Sequence, residues 1–139
     1  MKHIILISHG KLSEGMYNSV KMIIGDVANV AYYGLMPGED NNEICLKVEE
    51  YMKLHGMENQ YILVADLFGG SVSNSVAKLS EKDNVFIVNG MNMGLVIALV
   101  LEPKDMITKE DILHIIDESK TGICLTELLT DNIDESDII

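Results

Sequence analysis

Two short segments carry residue types that do chemistry. In the first, Ile4-Ile5-Leu6-Ile7-Ser8 leads into His9 and Gly10. In the second, Tyr61-Ile62-Leu63-Val64-Ala65 leads into Asp66-Leu67-Phe68-Gly69-Gly70-Ser71. An unprotonated histidine offers a nucleophilic ring nitrogen near neutral pH. A carboxylate at its Nδ1 fixes the tautomer and leaves Nε2 free to attack. The Gly69-Gly70-Ser71 turn offers backbone N–H groups and a helix N-terminus to an anion such as a phosphoryl group. Glycine suits that turn because a Cβ would hold the anion away from the backbone. Taken singly, each residue has a plainer explanation: a structural histidine, a turn-forming aspartate, a serine N-cap. Their joint value depends on His9 and Asp66 falling side by side.

The elements that would place them there can be read from apolar periodicity. Residues 3–8, 28–33, 61–65 and 85–88 read as strands, the third a continuous apolar run of the kind buried on both faces of a parallel sheet, and Gly34, Pro37 and Gly38 mark a loop after the second. Between them lie helix-like stripes. Ser13 is placed to cap the first, with Met16, Val20, Ile23 and Ile24 inward and Gly25 at its end. Asp40 and Glu43 have capping-box spacing before a second helix, with Ile44, Val48, Tyr51, Met52 and His55 along one side and Gly56 closing it. Val72, Val76 and Leu79 suggest a third helix, and two more fit residues 92–101 and 109–119. Residues 123–126 read as a final short strand. The alternation of strand and helix predicts a doubly wound α/β fold, with a mainly parallel sheet of about four strands and helices on both faces. In such sheets ligands bind beyond the carboxyl ends of the strands, where His9 and Asp66 would lie. One domain is expected over residues 1–130, and the acidic tail 131–139 is expected to fray.

Composition narrows the chemistry. The 139 residues suffice for one core-bearing domain. With a formal net charge of −12 and no basic patch, the chain is poorly suited to nucleic acid or to an anionic membrane surface. No apolar run reaches the roughly 20 residues needed to span a bilayer, and no signal peptide precedes the first strand, so a cytoplasmic location is expected. Cys45 and Cys124 are far apart, belong to no metal-ligand cluster and read as two buried thiols. His3, His55 and His114 read as structural. No P-loop, dinucleotide fingerprint, zinc motif or hydrolase elbow is present. No cofactor or metal is expected. A histidine nucleophile without a nucleotide or metal site fits a protein that relays phosphoryl groups between proteins.

These motifs resemble the IIA component of the mannose family of the bacterial phosphoenolpyruvate-dependent sugar phosphotransferase system (PTS). The resemblance rests on Ser8-His9-Gly10, Met36-Pro37-Gly38-Glu39, Asp66 to Ser71 with Asn74, and Val88-Asn89-Gly90-Met91-Asn92-Met93. It implies that His9 accepts a phosphoryl group from the phosphocarrier HPr and passes it to a IIB component, which serves the membrane components IIC and IID during sugar uptake. It further implies that Asp66 pairs with His9, that Ser71 supplies the hydroxyl of the glycine loop, and that the molecule is a homodimer exchanging its C-terminal strand, here residues 122–126. With no IIB-like sequence after the IIA-like part, a separate IIB protein is expected. Where the family often has proline after Gly-Gly-Ser, this chain has Val72, a change expected to affect stability more than activity. Two alternatives keep the fold: the phosphoryl-donor subunit of dihydroxyacetone kinase, whose loop tends to read Met-Gly-Ser, and a regulatory module controlled by histidine phosphorylation.

Overall fold

The computed structural model describes residues 1–128. Four strands, β1 (Lys2–His9), β2 (Val30–Leu35), β3 (Gln60–Ala65) and β4 (Val85–Asn89), form one sheet in the order β2-β1-β3-β4. Every pairing is parallel. Helices α1 (Leu12–Ile24), α2 (Asn42–His55), α3 (Ser71–Val76), α4 (Met93–Leu101) and α5 (Lys109–Lys120) connect or follow the strands, and α3 runs on into a 3-10 turn at Ala77–Glu81. The expected α/β architecture is therefore present.

Strand alternation divides the core. Ile5 and Ile7 of β1, with Leu63 and Ala65 of β3, pack against α2 and α3, while Ile4 and Leu6, with Ile62 and Val64, pack against α1, α4 and α5. All six residues of β3 are buried. Each large aliphatic side chain buried this way contributes about 1.5–3 kcal/mol, and three such residues, Ile62, Leu63 and Val64, hold β3 at the centre. The same period of two sends His9, in step with Ile5 and Ile7, toward the α3 side, and sends Ser8 toward α1.

Several local expectations are corrected. The second strand runs two residues later than expected, so Gly34 lies inside β2 and not in a loop. Ser13 does not cap α1; it is buried in the first turn, and Lys11 holds the cap position without a side-chain bond. The capping work falls to Ser8, whose Oγ accepts the Ser13 N–H at 2.8 Å. Ile23 is exposed, not inward. Asp40 accepts the Asn42 N–H at 2.9 Å, but the capping box with both bonds present is that of Thr108 and Asp111 on α5. Cys45 is buried as expected, whereas Cys124 is exposed; both are free thiols.

The segment 123–128 has no strand pairing among the described residues. The expected fifth strand needs a sheet edge that its own chain does not give it here. The expected acidic tail 131–139 and the boundary at residue 130 lie outside the described residues. Among the described residues, no helix is long and apolar enough to cross a membrane.

Candidate functional site

The strand order places the site. From β1 the chain moves outward one way to β2 and the other way to β3 and β4, so the winding reverses between β1 and β3. A crevice opens beyond the carboxyl ends of two strands at such a reversal. His9 ends β1, and Asp66 follows β3, its N–H donating to the Ile7 carbonyl at 3.2 Å. The two residues expected to pair are thus neighbours across the switch point.

Asp66 Oδ2 accepts twice from His9: from the backbone N–H at 2.8 Å and at the ring Nδ1, 2.7 Å away. A carboxylate accepts only, so Nδ1 carries the proton and Nε2 presents its lone pair. Nε2 lies 3.0 Å from Ser71 Oγ, whose hydroxyl donates to it. The His9 side chain is 48 % exposed and that of Asp66 only 9 %. The nucleophile is open to an incoming group while its orienting carboxylate is shielded, where a charge-assisted hydrogen bond is strong.

The glycine loop closes the other side. Gly69 has φ +75°, in the left-handed region that favours glycine. The ideal Cβ position of Gly70 would lie 3.5 Å from His9 Cε1, already at contact distance. The Gly70 carbonyl accepts from Asn74 N–H at 2.9 Å, and Ser71 begins α3 with the unbonded leading N–H groups any helix start presents. All five expected site residues, His9, Asp66, Gly69, Gly70 and Ser71, therefore converge. Val72, at the position of the family proline, is fully buried among α2 and sheet residues.

Three supporting residues had no role at the site assigned from the sequence. Ser8 and Ser13 are both fully buried; Ser13 Oγ donates to the Tyr33 carbonyl at 3.0 Å, tying the turn after His9 to β2. Gly34 lies where any Cβ would overlap the carbonyl oxygen of Gly10, so glycine is required for β2 to pass this turn. A lone glycine inside a strand is the signal of such a close backbone approach.

The remaining histidines are remote. His3 is buried, its Nδ1 2.8 Å from the Tyr51 hydroxyl and its ring stacked on Tyr61. Burial first, then His55 and the N-terminus, push it below the ordinary histidine value. His55 Nδ1 donates to the Tyr51 carbonyl, and His114 faces Glu118 one turn along α5. Among the described residues, no group of three or more His, Cys, Asp or Glu side chains could hold a metal ion.

The family model for the PTS system fructose IIA component matches residues 3–116. The chain belongs to that family. Among curated relatives, the sorbose-specific EIIA component of Klebsiella pneumoniae is 31 % identical over 101 residues, covering 72 % of this chain and 73 % of the relative. The mannose-specific EIIAB component of Escherichia coli is 20 % identical over 103 residues, and the match covers 73 % of this chain but 32 % of that longer protein. The mannose/sorbose specific IIA subunit from Enterococcus faecalis has the same fold, with a TM-score of 0.82 at 22 % identity, covering 96 % of this chain and all of that one. The PTS IIA protein associated with the fucose utilization operon from Streptococcus pneumoniae aligns with a TM-score of 0.70 at 28 % identity, over 89 % of this chain and 92 % of that one. This chain is thus a IIA component of the mannose/sorbose family, and so a component of a phosphotransferase system.

Proposed function

We propose that this IIA domain is a cytoplasmic phosphoryl carrier whose acceptor is Nε2 of His9, loaded by phospho-HPr and discharged to a IIB component that serves the IIC and IID membrane proteins. The observation that carries the reading is the polarised imidazole: Nδ1 is held by a shielded carboxylate, and the lone pair of Nε2 is turned toward the glycine loop. In the transfer, Nε2 attacks phosphorus, the N–P bond of the donor phosphohistidine breaks, and its electron pair returns to the donor ring. Positive charge then grows on the His9 imidazole, next to Asp66, which stabilises it. The Ser71 hydroxyl gives up its bond to Nε2 and turns to a phosphoryl oxygen. Gly69 and Gly70 leave room for the remaining oxygens beside the start of α3. Delivery to IIB reverses these steps. Exposed Leu12, Leu67 and Phe68 on the segments flanking His9 and Asp66 suit a protein donor better than a small one.

The test is reconstitution. With phosphoenolpyruvate, enzyme I and HPr, the protein takes up one acid-labile, base-stable phosphate, and a cognate IIB removes it. Failure to label under conditions that label HPr would end the proposal. Discharge to dihydroxyacetone kinase and not to IIB would move the protein to that pathway.

We also read the molecule as a homodimer. Ile123, Leu125 and Leu128 are 77 %, 84 % and 85 % exposed, and the outer edge of β4 has no strand neighbour among the described residues. Apolar chain and an open edge together favour pairing between two copies. Truncation before Gly122 is expected to give a monomer or an insoluble product, and truncation before Asp131 a dimer. Light scattering of the purified proteins separates these outcomes, and a monomeric full-length protein at micromolar concentration would refute the exchange.

A further inference from the structure

Ser73 is a buried polar residue on a helix that otherwise sends Val72 and Val76 into the core. A buried hydroxyl costs stability unless it is bonded, and alanine would fit an apolar helix face without that cost. Its bond is specific: Ser73 Oγ donates to Asn89 Oδ1 at 2.5 Å. Asn89 is the last residue of β4, paired in register with Ala65 of β3. Its position is fixed again by Met91 N–H, which donates to the Ala65 carbonyl at 3.0 Å.

Two residues apart on a helix means about 200° of rotation. Ser71 and Ser73 therefore look in opposite directions from one turn of α3: Ser71 to His9 on β1, and Ser73 to Asn89 on β4. The turn spans the sheet edge from β1 to β4, with β3 between them. The helix has only six residues before it tightens into the 3-10 turn, and its cap residue, Gly70, offers no side-chain bond. Few intrahelical bonds are available to set its rotation.

We propose that Ser73 and Asn89 are positioning residues: their hydrogen bond fixes the rotation of the first turn of α3, and so the aim of the Ser71 hydroxyl at His9 Nε2. The proposal rests on the reading of His9 as the acceptor only for its kinetic consequence; the aim of Ser71 can be measured without any phosphoryl donor.

The test uses the full chain with Ser73→Ala, Asn89→Leu and Ser73→Thr, each alone and combined with Ser71→Ala. In ¹⁵N NMR of the histidine rings, Ser73→Ala and Asn89→Leu should move the His9 Nε2 resonance toward that of Ser71→Ala, while Ser73→Thr, which keeps the hydroxyl, should not. A lost neutral hydrogen bond of about 0.5–1.5 kcal/mol corresponds to roughly two- to twelvefold, so kcat for phosphoryl uptake should fall by about that factor with KM for HPr unchanged. In the Ser71→Ala background the same changes should have no further effect on either readout. A Nε2 resonance unmoved by both Ser73→Ala and Asn89→Leu, or losses that persist in full without Ser71, would overturn the proposal. If wild type takes up no phosphate while the Nε2 resonance responds as stated, the positioning stands and the carrier reading falls.

Discussion

Changing His9 to glutamine is expected to abolish phosphoryl uptake, because on the proposed mechanism no other group at the site takes its place. Glutamine keeps a polar side chain of similar reach, but its amide nitrogen has delocalised its lone pair and does not attack phosphorus. Among the described residues two other nucleophiles touch His9: the Ser71 hydroxyl, which has lost its base in this variant, and the Asp66 carboxylate, which at 9 % exposure is shielded from an incoming donor. The fold should survive: the His9 side chain is 48 % exposed, and surface changes of this kind usually alter stability by less than about 0.5 kcal/mol. The matching controls are His3→Gln, His55→Gln and His114→Gln, all expected to label, with His3→Gln less stable because its ring is buried against Tyr51 and Tyr61. Radiolabel counts after incubation with phospho-HPr read the outcome. Full labelling of His9→Gln would remove the histidine from its role.

The second large effect is at Asp66, and its two variants should separate. In Asp66→Asn the side-chain oxygen is held in place by the His9 backbone N–H, which donates to Oδ2 at 2.8 Å in the parent. That constraint keeps an acceptor facing Nδ1, so the tautomer is retained and only the negative charge is lost. A hydrogen bond to a charged group is worth about 1–1.5 kcal/mol more than a neutral one, which predicts transfer slower by roughly five- to twelvefold. Asp66→Ala loses charge, acceptor and ring orientation together and should fall further, with the imidazole free to turn and either tautomer present. Rapid-quench measurement of His9 phosphorylation, at donor concentrations well above KM, gives the rates. Equal rates for wild type and Asp66→Ala would show that the carboxylate does nothing for the transfer.

Much of this was legible in the sequence, for identifiable reasons. The fully buried run 61–65 has the composition of a central parallel strand, and the strand-helix alternation left few ways to arrange four strands. Once His9 and Asp66 both sat just past apolar runs, the right-handed crossover rule brought them close. Other features were hidden because they depend on tertiary approach. Gly34 looked like a loop glycine beside Pro37 and Gly38, yet it sits in β2 because the turn at Gly10 needs the space. Ser13 looked like an N-cap, but Ser8, five residues earlier, satisfies that helix start, and local spacing carries no sign of it. Cys124 was read as buried from its apolar neighbours, and those neighbours are themselves exposed in the single chain. The periodicity of α3 did not show that it tightens after six residues, nor that Ser73 reaches Asn89.

The central claim is that the phosphoryl group is carried on one particular nitrogen, and NMR of the phosphorylated protein, uniformly labelled with ¹⁵N, measures that directly. Phosphorus–nitrogen coupling and the ring cross-peaks should assign the phosphate to Nε2 of His9, with a protonated Nδ1 still bonded to Asp66. Phosphate on Nδ1 of His9, or on any other side chain, would contradict the account.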